Sequence, residues 1–154
     1  TRGAPGAPGE IKGYFDAGKT GTVIKNTDLG VFGLYREAPI GKYSNPIPAA
    51  GRNEIKEGAA VMLCTLDSGE IGEYSIEIHS IDRTASGGRC FSVRVTDRAL
   101  LERTGGIIQG MSGSPIIQNG RLVGAVTHVL INDPASGYGI FIENMYSAMP
   151  EILK

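Results

Sequence analysis

The stretch Gly110-Met111-Ser112-Gly113-Ser114-Pro115 holds the residue types that nucleophilic catalysis requires. A serine hydroxyl attacks a carbonyl only when a base takes its proton and preset donors receive the oxyanion. Glycines at 110 and 113 let the backbone adopt conformations that other residues resist, so the amides of Gly110 and Ser112 can converge on one point as an oxyanion hole. The same six residues also read as a plain Gly-Ser loop, and what surrounds them has to decide.

A triad further needs a base and an acid. Asp97 closes Ser92-Val93-Arg94-Val95-Thr96 and reads either as a semi-buried carboxylate orienting an imidazole or as a turn aspartate initiating Arg98 to Glu102. His79 precedes Asp97 and Ser112 in the order of a trypsin triad, but at intervals far shorter than a two-barrel enzyme requires, and it reads better as a surface histidine. His128 lies after the serine and reads as a packed histidine. A Ser-Lys dyad would draw on Lys12, Lys19, Lys25, Lys42 or Lys56, none of which has a distinctive setting. This chemistry calls for no cofactor and no metal, and Cys64 and Cys90 lack the partner spacing of a zinc site. The two cysteines lie in separate predicted strands, either as a cross-strand disulfide or, the plainer reading, as two buried free thiols.

The elements that must hold these residues are strands. Gly (23) and Pro (8) punctuate short runs rich in Val, Ile, Thr, Tyr and Phe, an all-β pattern with the spacing of a barrel or sandwich. Predicted strands are Glu10 to Phe15, Thr22 to Asn26, Val31 to Tyr35, Ala60 to Leu66, Glu73 to Ile81, Cys90 to Thr96, Pro115 to Gln118, Leu122 to Leu130 and Tyr138 to Glu143. Alternation from Tyr74 to Ile81 puts Tyr74, Ile76 and Ile78 on one face and Ser75, Glu77 and His79 on the other. Asn119-Gly120 predicts a type I′ hairpin directly after the nucleophile strand. Met145, Tyr146, Met149, Ile152 and Leu153 predict a closing helix over Glu143 to Lys154, packed on the barrel.

A chain of 154 residues with 41% apolar content is one domain able to bury a modest core. With 15 basic against 16 acidic residues and no block of like charge, nucleic acid is not expected as a partner. No apolar run approaches the ~20 residues of a membrane helix, so no membrane segment is expected in the chain. It opens on Thr1 with an irregular arm to Glu10, read as the product of trimming from something longer.

After Ser112 come a strand, the Asn-Gly hairpin and Leu122-Val123-Gly124-Ala125-Val126-Thr127, which resembles the Leu-Val-Gly-Ile-Val-Ser strand of trypsin-like enzymes. That resemblance implies that Thr127 sits beside the catalytic carboxylate, that His128 and Val129 line the substrate edge, and that Gly137-Tyr138-Gly139-Ile140 form the opposite pocket wall. Met111 stands where trypsin has an aspartate, which argues against activation by a new N-terminus pairing there.

Pro5-Gly6-Ala7-Pro8-Gly9-Glu10-Ile11, Pro46-Ile47-Pro48, Val95-Thr96-Asp97, Gly110 to Pro115, and Ala125 to Pro134 with Gly137-Tyr138-Gly139-Ile140 together resemble the sporulation stage IV B (SpoIVB) serine peptidases across nearly the whole chain. The resemblance implies a C-terminal trypsin-like peptidase domain, a double β-barrel whose first barrel is incomplete here, with no PDZ domain in residues 1–154. It implies Ser112 as nucleophile and Asp97 as triad acid. It also implies a serine endopeptidase of endospore formation, secreted from the forespore into the intermembrane space. There it would process its own chain and cleave a regulator that restrains an intramembrane metalloprotease. The family histidine lies in a Gly-His-Gly segment, whereas neither His79 nor His128 follows a glycine. The chain by itself is therefore expected to be nearly inert. The competing reading is a non-catalytic module whose edge near Val126 to Leu130 captures an extended peptide.

Overall fold

The structure, a computed structural model, describes residues 21–36, 46–66 and 70–154. The predicted strand Glu10 to Phe15, the arm before it, and Lys12, Lys19 and Lys42 lie outside these residues. Two strands, β1 (Gly21–Thr27) and β2 (Gly30–Tyr35), form an antiparallel hairpin. Six more close a barrel: β3 (Gly58–Thr65), β4 (Ile71–His79), β5 (Phe91–Val95), β6 (Pro115–Gln118), β7 (Arg121–Leu130) and β8 (Asp133–Phe141). Their order around the barrel is β3-β4-β5-β8-β7-β6, with β6 pairing back onto β3. The all-β expectation is met by one closed barrel and one two-stranded sheet among the described residues.

Alternating side chains build the core. In β4, Ile76 and Ile78 are buried while Ser75 and Glu77 face out; in β5, Phe91, Val93 and Val95 are buried while Arg94 is exposed. A period of two is what a sheet with one dry face selects. Phe91 and Phe141 meet at 5.5 Å between ring centroids near the middle of that interior. The β6–β7 turn is as the sequence predicts, since Asn119 (φ 52°) and Gly120 (φ 73°) both take the left-handed region that a type I′ turn requires.

Three expectations are corrected in detail. β8 begins at Asp133 and ends at Phe141, not at Tyr138 and Glu143. Asp133-Pro134-Ala135-Ser136-Gly137 has turn composition, yet pairing with β7 (Leu130↔Asp133, Val129↔Gly137) and with β5 (Arg94↔Ser136) recruits it into the sheet. A helix over Arg98–Thr104, α1, follows Asp97. The closing helix α2 spans only Ile142–Ala148, with a separate 3₁₀ turn at Glu151–Leu153. Pro150 cannot donate an amide and holds Met149 extended (φ −62°, ψ 134°), which ends the helix. Met145 of α2 packs on the core, but Tyr146 and Ile152 are exposed.

The hairpin is docked on this barrel. Leu29 packs against the core, Phe32 is buried, and Lys25 Nζ donates to the Ala148 carbonyl at 3.1 Å. Cys64 and Cys90 are both free thiols. Burial raises both thiols above the ordinary range, and Cys90 Sγ donates to the Gly87 carbonyl at 3.1 Å.

Candidate active site

The segment between α1 and β6 reaches Ser112 through a loop tied to β7 at several points. Gly113 N donates to the Val126 carbonyl at 2.8 Å, Val126 N to the Ser114 carbonyl at 3.0 Å, and Ser114 N to the Met111 carbonyl at 3.0 Å. Gly110 (φ 102°) and Gly113 (φ 91°) take conformations that side-chain-bearing residues avoid. Met111 turns inward, 5% exposed, and its Sδ accepts from Ile108 N at 3.5 Å. An apolar plug thus supports the loop from beneath while Ser112 and Gly113 stay exposed.

Ser112 Oγ donates to the Thr127 carbonyl at 2.9 Å. An exposed hydroxyl–carbonyl bond is worth only about 1 kcal/mol net, so a base or substrate can displace it. The amides of Met111, Gly113 and Ser114 are engaged, whereas those of Gly110 and Ser112 have no partner among the described residues. Two free N–H groups therefore flank an exposed hydroxyl.

Thr127 occupies a bulge. Val126 pairs with Gly139 and His128 with Tyr138, which leaves Thr127 as the extra residue on β7. Its Oγ1 lies 2.6 Å from the Gly88 carbonyl and 3.1 Å from that of Tyr138. Gly88 belongs to a loop held by Asn144, whose Nδ2 donates to the carbonyls of Ala85 (3.0 Å) and Gly87 (3.3 Å). Asn144 is fixed in turn by Arg52, which donates to its Oδ1 at 2.9 Å and to Glu143 Oε2 at 2.6 Å. Those bonds from Arg52 hold the Glu143 carboxyl below its ordinary value. A chain of contacts from α2 through Asn144 and Gly88 thus places Thr127 against Ser112.

The other predicted residues divide into two groups. His128 is exposed and Val129 half-buried, on the part of β7 that outruns β6: β6 pairs with β7 only through Ala125, so Thr127 to Leu130 has β8 alone as a neighbour. That is an open edge beside the serine. Gly137 and Gly139 are buried, and a Cβ on them would run into the His128 carbonyl and the Phe91 ring respectively. These two glycines face packed atoms, so close packing accounts for them.

Asp97 lies elsewhere. Its Oδ1 accepts from Leu100 N at 2.9 Å as the N-cap of α1, and its Oδ2 lies 3.4 Å from Ser75 N. Asp97 lies two residues beyond the end of β5 (Phe91–Val95). This cap is the helix-initiating role that the sequence offers for Asp97. His79 pairs with Glu77 at 3.3 Å on the outer face of β4, separated from β7 by β5 and β8. Lys25 is bound to Ala148, and the backbone of Lys56 bonds Gln118, at the end of β6 away from the serine. Along the chain Asn144 and Arg52 carry no signal for this role beyond the pair Glu143-Asn144 in a helical stretch.

Residues 1–146 match the family model described as SpoIVB peptidase S55. No curated protein matches the chain. Among solved structures, the active form of the Rv3671c protease from M. tuberculosis is similar at 18% identity and a TM-score of 0.49, covering 82% of this chain and 56% of that one. The inactive form of the same protease is similar at 17% identity and a TM-score of 0.47, covering 82% and 64%. The chain thus spans less than two thirds of the solved chains it matches. With the family model covering nearly its full length, this chain belongs to the SpoIVB family of serine peptidases.

Proposed function

We propose that the protein is a serine endopeptidase in which Ser112 Oγ attacks the scissile carbonyl while the amides of Gly110 and Ser112 receive the oxyanion. The observation that carries this is the exposed Ser112 hydroxyl flanked by two amides without a partner among the described residues, beside the engaged amides of Met111, Gly113 and Ser114. Donors held in advance stabilise charge that appears only in the transition state, and one such donor is worth on the order of 10²–10³ in turnover. An extended substrate strand pairs with the open edge from Thr127 to Leu130, which brings its carbonyl over the loop. A base takes the Oγ proton and returns it to the leaving amine, and water then hydrolyses the acyl-enzyme. The base is assigned to the histidine of the family's Gly-His-Gly segment, because neither His79 nor His128 follows a glycine.

Family membership implies a secreted protein of sporulation. The finer reading is that the enzyme acts between the two forespore membranes, processes its own chain and cleaves a regulator of an intramembrane metalloprotease. Among the described residues no helix is long and apolar enough to cross a membrane. The test is fluorophosphonate labelling of the full-length protein. Labelling is expected in the wild type and lost in Ser112→Ala, and labelling that persists in the variant ends the assignment.

The open β7 edge also favours a second reading, a module that captures peptides without cutting them. It predicts that Ser112→Ala leaves partner binding and the processing phenotype intact, while changes at His128 and Val129 weaken binding.

A further inference from the structure

We propose that Ile107 decides how long a side chain the peptidase accepts just before the scissile bond, because it closes the barrel end beside Ser112. The proposal deepens, and rests on, the reading of Ser112 as nucleophile and of Thr127 to Leu130 as the substrate edge.

The segment between α1 and β6 meets that edge at two places. Ser112 Oγ donates to the Thr127 carbonyl at 2.9 Å. Earlier in the same segment, Ile107 Cδ1 lies 2.9 Å from the point that a Cβ on Gly137 would occupy, and the His128 carbonyl also crowds that point. Gly137 pairs with Val129, two residues along β7 from Thr127. Both contacts therefore fall on one short stretch of β7 and its β8 partner. The substrate residue that offers its carbonyl to Ser112 has to seat its side chain between this segment and β7, and Ile107 is what that side chain meets.

Ile107 is a fixed stop. It is 2% exposed and packs in one cluster with Met111, Val126 and Ile140. Its amide donates to the Pro134 carbonyl at 2.7 Å. Gly106 before it takes φ 132°, and a Cβ there would run into the same Pro134 carbonyl, so the backbone reaches Ile107 by a path that needs glycine. On the Ser112 side, Met111 N donates to the Ile108 carbonyl at 3.1 Å and Ile108 N to Met111 Sδ at 3.5 Å. Val129, paired with Gly137, packs on the same core.

These contacts set the depth of the site. A glycine at 137 would leave room there for a long substrate side chain, and the Ile107 side chain already takes that room. Interiors are packed to near-crystal density and resist added volume. A short side chain before the cut fits against Ile107, and a long one does not.

The test is hydrolysis, by the full-length protein, of peptides that differ only in the residue before the cut: alanine, leucine or phenylalanine. The readout is the ratio of kcat/KM values within each protein, which a change in stability or in the fraction of active enzyme does not move. Ile107→Val deletes the Cδ1 that faces Gly137 and should shift the ratio toward leucine about 10-fold, the low end of what one methylene is worth in an apolar pocket. Ile107→Ala should shift it further, on the order of 10²-fold, and admit phenylalanine. Thermal melts show which variants fold, and where Ile107→Ala does not, Ile107→Val decides. The proposal is overturned if the wild type prefers leucine or phenylalanine to alanine, or if the ratio in the folded variants stays within about threefold of wild type. It is equally overturned if a folded variant loses activity on every peptide alike, since Ile107 would then hold the loop and not set its selectivity. Persistent fluorophosphonate labelling of Ser112→Ala would instead break the nucleophile assignment, whatever the ratio does.

Discussion

The end of β5 and the approach to β6 both place a polar residue beside glycine-containing turns, and they treat its hydrogen-bonding groups in opposite ways. At Asp97 the carboxylate caps Leu100, the carbonyl accepts from Leu101 N, and Gly105 N closes the helix on the Leu101 carbonyl. Thr104 Oγ1, buried at 5% exposure, bonds the Gly106 carbonyl at 2.6 Å and that of Leu100 at 2.9 Å. Around Ser112 the reverse holds: the amides of Gly110 and Ser112 are left without a partner among the described residues. A satisfied polar cluster contributes stability, and exposed preset donors contribute binding. Composition makes the two stretches look alike, and partner accounting separates them.

The largest expected effect that sharpens this contrast is Ser112→Ala. Removing a nucleophile that acts as part of a unit costs on the order of 10⁶ in turnover, while loss of the Thr127 bond should change stability by no more than about 1 kcal/mol. Hydrolysis assays of the full-length enzyme beside urea unfolding would read both, and a large stability loss with activity retained would erase the distinction. Next is Gly113→Ala. The added Cβ meets open space, so the cost is conformational, about 1–2 kcal/mol at φ 91°. If the loop relaxes to escape it, donor alignment suffers and kcat falls on the order of 10²-fold with KM little changed. Unchanged kcat would show that this glycine does not set the donors.

Asp97→Ala should cost about 1 kcal/mol through loss of the N-cap, with Asp97→Asn within a few tenths of wild type. Equal destabilisation by both variants, read in chemical unfolding, would remove the capping account. The smallest effect concerns Glu143, whose carboxyl Arg52 holds below its ordinary value. The folded pKa is depressed, so this contribution to stability is complete above the unfolded value of about 4.3 and fades as pH falls through the lowered one. Thermal melts between pH 7 and pH 3 should show this component in the wild type and lack it in Glu143→Gln. With both partners partly exposed, the effect should be a modest fraction of total stability.

Much of this molecule is legible along the chain. Ile76 and Ile78 face the core because alternation at a period of two says so, and the β6–β7 hairpin forms because Asn119 and Gly120 accept positive φ. Gly110 and Gly113 announce a loop with unusual backbone for the same local reason. These features depend on a residue and its immediate neighbours. The start of β8 was not legible, because only β5 and β7 make a strand out of Asp133 to Gly137. The close packing at Gly137 and Gly139 was not legible either, since it comes from the His128 carbonyl and the Phe91 ring that a Cβ there would meet.

The sequence alone thus determined the glycine-flanked Ser112 loop, the family and the all-β class, since these reside in short-range motif, backbone preference and hydrophobic period. Only the tertiary structure decided which carboxylates are engaged and which are free. In a string of letters Asp97 suits a triad carboxylate and a helix cap equally. In the fold its Oδ1 caps Leu100 three residues on, and its Oδ2 lies 3.4 Å from Ser75 N on β4.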